Sequence, residues 1–358
     1  MPGAWAEVNC AAVQHNLSRV RAMAPRSQVA AVVKANAYGH GLEPLSAALS
    51  GQVDAFAVAT IEEGINLRRW EHETPVWILL GFSDATELHA CLSFGLTPVI
   101  QNDWQCSLLR NQKGFGLPVI LELDIGMGRL GFDFADSGAQ LLQLEQHGIV
   151  SIQAILGHLP GSEEGDANQV RDQCARFLRE SAGFKNDLTL ANSAAIMDWP
   201  DTHLDWVRPG LMLYGVAPHK HRRGVDFGLK PAMRVFSRIH GIRTMKAGDT
   251  IGYGRTFRCS TATRVALVRF GYADGYPRSS GDQRFVSLHG QACAILGRIA
   301  MDSMMVDVSA SAAAQVGDIV EMWGGDIATE QLAADAGTIP HELLSHLGPR
   351  VELRFISR

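Results

Sequence analysis

A lysine that closes an apolar run and precedes a glycine-flanked turn is a candidate for covalent chemistry with an aldehyde, and VVKANAYGHG, Val32 to Gly41, places Lys34 there. Partial dehydration at a strand end lowers an ammonium's pKa and frees a lone pair for Schiff-base formation. A lysine in that position more often just reaches back to solvent, so companions matter. Tyr38, four residues on, is placed to hold an anionic group. ANSAA, from Ala191, puts Ser193 at a strand end before a helix, where a hydroxyl and free backbone N–H groups suit a dianionic phosphate. A plain helix N-cap needs the same geometry, and spacing alone leaves both readings open. LDIGMGRLG, from Leu123, contains Gly126, Gly128 and Gly131, a literal G-x-G-x-x-G after a strand. A dinucleotide site needs its helix to begin among those glycines, whereas here FDFADSG intervenes, so the fingerprint reading is poor.

The elements that must carry these groups follow from the rhythm of the chain. From Val29 to about Gly215, apolar runs alternate with longer helical stretches such as ATELHACLSFG and NQVRDQCARFLRESAG. The runs are VAAVVKA, AFAVAT, VWILL, LTPVI, VILELD, IQAILGH, DLTLANS and WVRPG. Eight such runs predict a closed (β/α)8 barrel, an α/β fold whose chemistry belongs at the C-terminal ends of its strands. Lys34 ends the first run, His158 the sixth and Ser193 the seventh, and Arg208 lies in the eighth. Beyond about Asp226 the runs RVALVRF, RFVSLHG, ACAILGRI, SMMVDVS, DIVEMWG and VELRFISR predict a mostly-β C-terminal domain, with a short helix, TEQLAADAG, before the last strand. The polar segment HKHRRGVD marks the change, giving a barrel over 8–222 and a β domain over 223–358 that residues 1–7 are expected to join.

Composition narrows the partners. With 358 residues the chain exceeds one ordinary core, which agrees with two domains. A net charge of −5 and the lack of a dense basic run argue against nucleic acid. Six cysteines lie far apart without a C-x-x-C pair, so no metal site is expected and they read as reduced core residues. MPGAWAEVNC lacks the basic start and apolar segment of a secretory leader, and no window of about 18 uninterrupted apolar residues suggests a membrane span. A cytoplasmic location is expected.

VVKANAYGHG, GMGRLG, WVRPGLMLYG and IGYGRTF together resemble the signatures of the alanine racemase family, and the likeness runs from AWAEVN to the final strand. The resemblance implies a pyridoxal 5'-phosphate enzyme that interconverts L- and D-alanine, for peptidoglycan supply or for alanine catabolism. It implies that Lys34 carries the cofactor and is the base for the D-enantiomer, while Tyr253 serves the opposite face. Arg129 is expected to bond the cofactor's ring oxygen and assist substrate carboxylate binding. Tyr38, Ser193 and the backbone N–H groups near Gly210 and Leu211 are expected at the phosphate, and Arg208 at the pyridine nitrogen. A guanidinium only donates hydrogen bonds, so that nitrogen stays unprotonated, the ring is a weaker electron sink, and racemisation is favoured over transamination. A phenol that titrates near 10 needs help to act as a base at neutral pH, and His158 corresponds to the histidine that bonds both the tyrosine and the arginine. Met301 and Asp302, in GRIAMDSM, correspond to substrate-binding positions, and Tyr272, Arg298 and Glu163 to the entrance. The family pairs head to tail, so the resemblance implies a homodimer in which one subunit's tyrosine completes the other's lysine site.

Three departures from the family pattern carry information. Where many members have a carbamylated lysine, seven residues before the arginine of GMGRLG, this chain has Glu122, which is expected to supply the same negative charge near Arg129. After His158 the usual Phe-Ala is replaced by Leu159-Pro160, with Glu163 where aspartate is common. No phosphate-binding tyrosine precedes Arg350-Val351. Two rival readings are amino-acid decarboxylases of the same fold group, against which Tyr253 argues, and non-catalytic cofactor carriers, which lack a second domain. Activity on ornithine but not alanine would favour the first, and cofactor binding without α-hydrogen exchange the second.

Overall fold

The computed structural model describes residues 3–111, 116–133, 139–163, 166–278 and 284–356. Contacts divide the chain into two compact units, Val13–Leu213 and Met1–Ala12 with Tyr214–Arg358. In chain order the strands are β1 (Ala4–Asn9) of the second unit, then the first unit's β2 (Gln28–Val32), β3 (Ala55–Val58), β4 (Val76–Ile78), β5 (Leu96–Ile100), β6 (Leu117–Glu122), β7 (Val150–Leu156), β8 (Asp187–Thr189) and β9 (Trp206–Val207). Among the described residues β2 to β9 form a closed barrel of parallel neighbours, with β9 returning to β2 through Gln28 opposite Trp206. The eight runs read from the sequence are these strands.

The barrel strands are nearly continuous apolar runs because both their faces are covered. Ala30, Ala31, Phe56, Ala57, Val99, Ile100, Ile120 and Leu121 are all fully buried. Side-chain caps open several of the intervening helices: Thr60 before Ile61–Arg68, Asp84 before Ala85–Phe94 and Asn102 before Asp103–Arg110. At the N-terminal mouth, Trp77 and Trp206 meet at 4.8 Å and Trp206 Nε1 donates to Asp187 at 2.9 Å, lining a cavity of about 830 Å³. That mouth is the face a barrel uses for stability.

The second unit continues with β10 (Met233–Met245), β11 (Thr250–Ile251), β12 (Phe257–Arg258), β13 (Thr263–Val268), β14 (Phe285–Leu288), β15 (Gln291–Leu296), β16 (Met304–Asp307), β17 (Ile319–Trp323) and β18 (Glu352–Ile356). Its main sheet runs β13-β16-β15-β14-β17-β10-β1-β18, and β10 also pairs with β13. The thirteen-residue β10 is the hub, pairing with β1, β13 and β17 and shifting register between Ile239 and Gly241. Pattern reading found neither β1 nor β10. The arginines of β10 (Arg234, Arg238 and Arg243) break its apolar rhythm, and β1 joins a sheet whose other members lie more than 200 residues away, opposite Met233 to Ser237. Trp323, Phe270 and Tyr276 meet edge to face at the core of this unit.

Candidate active site

The segment after β2 is wound backwards. Ala35, Asn36, Ala37 and Tyr38 have φ of 53°, 54°, 54° and 51°, a left-handed turn of residues that each carry a Cβ. Every such residue costs roughly 1–2 kcal/mol, so the turn persists only because its surroundings over-determine it. Ala37 N–H donates to Val33 O at 2.9 Å, Gly41 N–H to Asn36 O at 3.0 Å and Leu42 N–H to the Asn36 side chain at 2.8 Å. Ala35 N–H donates to Glu63 Oε1 at 2.6 Å, and His40 Nδ1 lies 2.8 Å from Tyr38 O in a fully buried position. The sequence marks a turn here; its hand is set by these bonds.

Burial lowers the His40 pKa to about 4, against two backbone hydrogen bonds that raise it. Because the folded pKa lies below the unfolded value near 6.5, the unfolded chain binds the extra proton between those limits. Stability is therefore complete above about pH 6.5 and falls toward pH 4, by roughly 3 kcal/mol from this group. Urea unfolding of the protein and of His40→Asn at pH 7 and pH 5 should show the variant losing less stability on acidification. Equal losses would contradict this account.

Lys34 begins the turn, half-buried. Burial and the nearby charge of Arg129 push its ammonium pKa down, and Glu63 opposes them. Tyr38 points inward, its phenol pushed up to about 12 by burial. A Cβ on Gly210 would sit 2.6 Å from Tyr38 Oη, so only a glycine there lets the phenol reach the backbone after β9. Ser193 Oγ accepts from Gly210 N–H at 3.0 Å and from Met212 N–H at 3.2 Å. The helix cap is Asn192, whose side chain accepts from Ala195 N–H at 3.1 Å, so Ser193 is not the N-cap. Tyr38, Ser193, Gly210 and Met212 thus meet in one cluster of hydroxyl and N–H groups, with buried Leu211 between the last two in the chain.

Arg208, buried, donates from Nη1 to Thr189 Oγ1 at 2.7 Å and from Nη2 to Gly157 O at 2.7 Å and Leu190 O at 3.3 Å. Nη2 also lies 3.4 Å from His158 Nδ1. Arginine cannot accept, so His158 Nδ1 is the acceptor and the ring proton sits on Nε2. Burial, then Arg208, Arg129 and Lys34, lower the His158 pKa to about 3, so this imidazole is neutral at physiological pH. Burial brings Arg208 down to about 10, with Glu122 opposing.

Glu122 ends β6 in a buried position and accepts from Gln101 Nε2 at 2.7 Å. Burial raises its pKa, while Gln101, Arg208 and Arg129 pull it back and Asp124 adds to the rise. Arg129 projects, exposed, from a loop organised by Asp124, whose carboxylate accepts from Gly126, Met127 and Gly128 N–H at 2.9 to 3.1 Å. The loop folds back where Phe132 N–H donates to Glu122 O at 2.9 Å, and the next described helix is Ala139–Gln146. The G-x-G-x-x-G pattern is therefore a loop and opens no helix; of the intervening FDFADSG, residues 134–138 lie outside the described residues. Glu163 is exposed in the loop after β7, beyond buried Leu159.

The second unit groups the remaining candidates on one face. Tyr253 stands 68% exposed on the turn Tyr253–Arg255, and a Cβ on Gly254 would lie 3.1 Å from Arg298 Nη1. Tyr272 N–H donates to Ala300 O at 3.1 Å and Ala273 N–H to Met301 O at 3.0 Å, so the Tyr272 turn is hydrogen-bonded to the Met301 loop. Arg350 ties that loop down, bonding Asp302 at 2.7 Å and buried Asp274 at 3.0 Å. Sequence reading missed Arg350, Asp124, Thr189, Gln101 and Glu63, which contact the candidate residues or their loops. Of these, Glu63 and Asp124 had a legible signal, T-x-x-E before an apolar run and aspartate before G-x-G.

The alanine racemase N-terminal domain model matches residues 8–218, and the C-terminal domain model residues 232–355. The alanine racemase of Nitrosomonas eutropha is 39% identical over 348 residues, covering 96% of each chain. The crystal structure of the biosynthetic alanine racemase from Pseudomonas aeruginosa superposes with a TM-score of 0.96 at 36% identity, covering 99% of this chain and 100% of that one. The alanine racemase from Bartonella henselae, solved with covalently bound pyridoxal phosphate, gives 0.90 at 32% identity, with 99% of both chains covered. The two domain models match in succession along the chain, and the chain belongs to the alanine racemase family.

Proposed function

We propose that the chain is a pyridoxal-phosphate enzyme that racemises alanine with two proton carriers, Lys34 on one face of the α-carbon and Tyr253 on the other. The observation that carries this reading is the convergence, at the C-terminal ends of the barrel strands, of a dehydrated amine, a set of phosphate-sized donors and a buried guanidinium. These residues fit the cofactor. Gly210 lets the Tyr38 hydroxyl pack against the backbone after β9, where Ser193 Oγ also lies, and Arg208 Nε donates to no partner among the described residues, which leaves it for a pyridine nitrogen.

When bound, pyridoxal phosphate supplies an electron-withdrawing ring that acidifies the α C–H of an attached amino acid. Lys34 would hold the cofactor through its amine. Tyr38, Ser193 and the N–H groups of Gly210 and Leu211 would take its phosphate. Arg208 would hold its pyridine nitrogen and, since a guanidinium can only donate, would leave that nitrogen unprotonated. Lys34 exchanges the α-proton of the D-enantiomer and Tyr253 that of the L-enantiomer. His158 supports the phenolate through its Nε2–H, with the charges of Arg208 and Arg129 nearby. Arg129 and the backbone at Met301 take the substrate carboxylate, with Asp302 beside them, and Tyr272, Arg298 and Glu163 line the approach.

We further propose a cytoplasmic homodimer in which one copy's Tyr253 serves the other copy's Lys34. The exposure of Tyr253 and Met301, at 68% and 52%, supports a face that another subunit covers. No helix among the described residues is long and apolar enough to cross a membrane. Incubating the protein with L-alanine in heavy water tests the function: chiral chromatography should show D-alanine, and both enantiomers should carry deuterium at the α-carbon. Exchange without D-alanine, or turnover of ornithine alone, would reject it.

Glu122 is proposed to supply the negative charge beside Arg129. Glu122→Gln keeps the size and the contact with Gln101 but removes that charge, and leaving Arg129 uncompensated should weaken cofactor affinity or turnover by about tenfold, the effect of 1–2 kcal/mol. Fluorescence titration of the cofactor and initial rates measure it. Unchanged values for both would remove this role.

A further inference from the structure

We infer that Glu63 is a positioning residue for Lys34: its carboxylate anchors the left-handed turn on which the lysine is mounted, and its charge acts on the ammonium. The inference rests on the reading of Lys34 as the cofactor-bearing amine. Glu63 lies in the first turn of the helix Ile61–Arg68, where it and Thr60 form a reciprocal cap. A cap alone would occupy its carboxylate with the backbone of its own helix. Here only Oε2 does so, accepting from Ala59 N–H at 2.8 Å and Thr60 N–H at 3.4 Å. Oε1 reaches across to the end of β2 and accepts from Ala35 N–H at 2.6 Å, the residue directly after Lys34.

The energetics make that second contact consequential. Ala35 is the first residue of the turn to enter the left-handed region, and it is exposed, so packing does little to hold it. Its N–H is tied outside the segment, to Glu63, whereas the N–H groups of Ala37, Gly39 and Gly41 are satisfied by the segment's own carbonyls. A charge-assisted bond is about twice as strong as a neutral one, which suits it to offset the roughly 1–2 kcal/mol that a left-handed residue costs. The direction of the Lys34 side chain follows from the backbone that this bond fixes. The same carboxylate opposes burial and Arg129, which both favour the neutral amine. Glu63 thus sets where Lys34 points and how readily it gives up its proton.

Thr60 separates this role from ordinary capping. Its Oγ1 accepts from Glu63 N–H at 3.3 Å, so Thr60→Ala removes half of the cap and leaves the bond to Ala35 intact. The experiment is competitive acetylation of the full-length protein, freed of cofactor, across a pH series, with the Lys34 peptide quantified by mass spectrometry. Glu63→Gln should acetylate Lys34 about threefold faster at a fixed pH below its midpoint, because a lost neighbouring negative charge releases the proton more easily. Thr60→Ala should lower the Tm and leave the Lys34 profile unchanged. A Glu63→Gln profile that superimposes on the parent, or a Thr60→Ala profile that moves as far, would overturn the inference.

If Glu63→Gln does not fold, Glu63→Asp keeps the charge and shortens the stem. It should retain the parent's labelling profile yet release pyridoxal phosphate several-fold faster on gel filtration; release at the parent's rate would overturn the inference. Borohydride reduction of the loaded protein reports separately on the underlying reading. An adduct on another lysine would overturn the assignment of Lys34, and the inference with it, whatever the labelling shows.

Discussion

Lys34→Ala should abolish alanine racemisation, with a loss of roughly four orders of magnitude or more, while leaving the fold intact. Two functions disappear together, the covalent hold on the cofactor's aldehyde and the proton carrier on one face of the substrate, and general acid–base catalysis alone contributes about 10²–10⁴-fold. Lys34→Arg is the sharper comparison, because it preserves the charge but its guanidinium neither deprotonates nor attacks an aldehyde. Both variants should lose cofactor on dialysis, and neither should yield a reduced adduct at this position. The clustered hydroxyl and N–H groups at Tyr38, Ser193 and Gly210 do not involve Lys34, so phosphate binding should survive. Racemisation within tenfold of the parent would mean that another lysine carries the chemistry.

Tyr253→Phe should split the two halves of the reaction. With D-alanine in heavy water, Lys34 still removes and returns the α-proton on its own face, so exchange persists, while formation of L-alanine falls by about 10²–10⁴-fold. With L-alanine both exchange and racemisation should collapse. Because Tyr253 is 68% exposed in its own unit, removing its hydroxyl should change stability by no more than about 0.5 kcal/mol. Thermal unfolding therefore distinguishes a catalytic defect from a folding one. Equal loss of exchange for both enantiomers would show that the phenol is not confined to one face. Mixing Lys34→Ala with Tyr253→Phe protein adds a test of the pairing, since hybrid dimers would contain one complete site if the two residues come from different copies.

The barrel was legible because parallel strands covered on both faces are written as unbroken apolar runs, and their spacing leaves room for a helix each time. Lys34, Ser193 and Arg208 fell at strand ends for the same reason. What pattern could not supply was anything decided by distant pairing. β10 does not alternate in burial, since Val235, Phe236 and Ser237 are buried in succession, and β1 acquires its meaning from Met233 to Ser237 on the other side of the chain. The supporting contacts were hidden in a similar way. Gln101 is unremarkable until it is found 2.7 Å from Glu122, and Thr189 until it receives the Arg208 guanidinium. The role of His158 was half legible: its place at the end of β7 could be read, whereas its neutral state follows from burial beside two arginines and a lysine.

The backward winding of Ala35 to Tyr38 has a consequence for the polymer itself. Stereochemistry normally makes that region of backbone space the preserve of residues of opposite chirality, so over these positions a natural chain adopts the shape that its enantiomer would choose freely. A synthetic protein carrying D-alanine at the solvent-facing position 35 would relax there, whereas valine or isoleucine of ordinary chirality would be driven out. A catalyst indifferent to the handedness of its small substrate thus mounts its reactive amine beside a span where its own handedness is locally inverted.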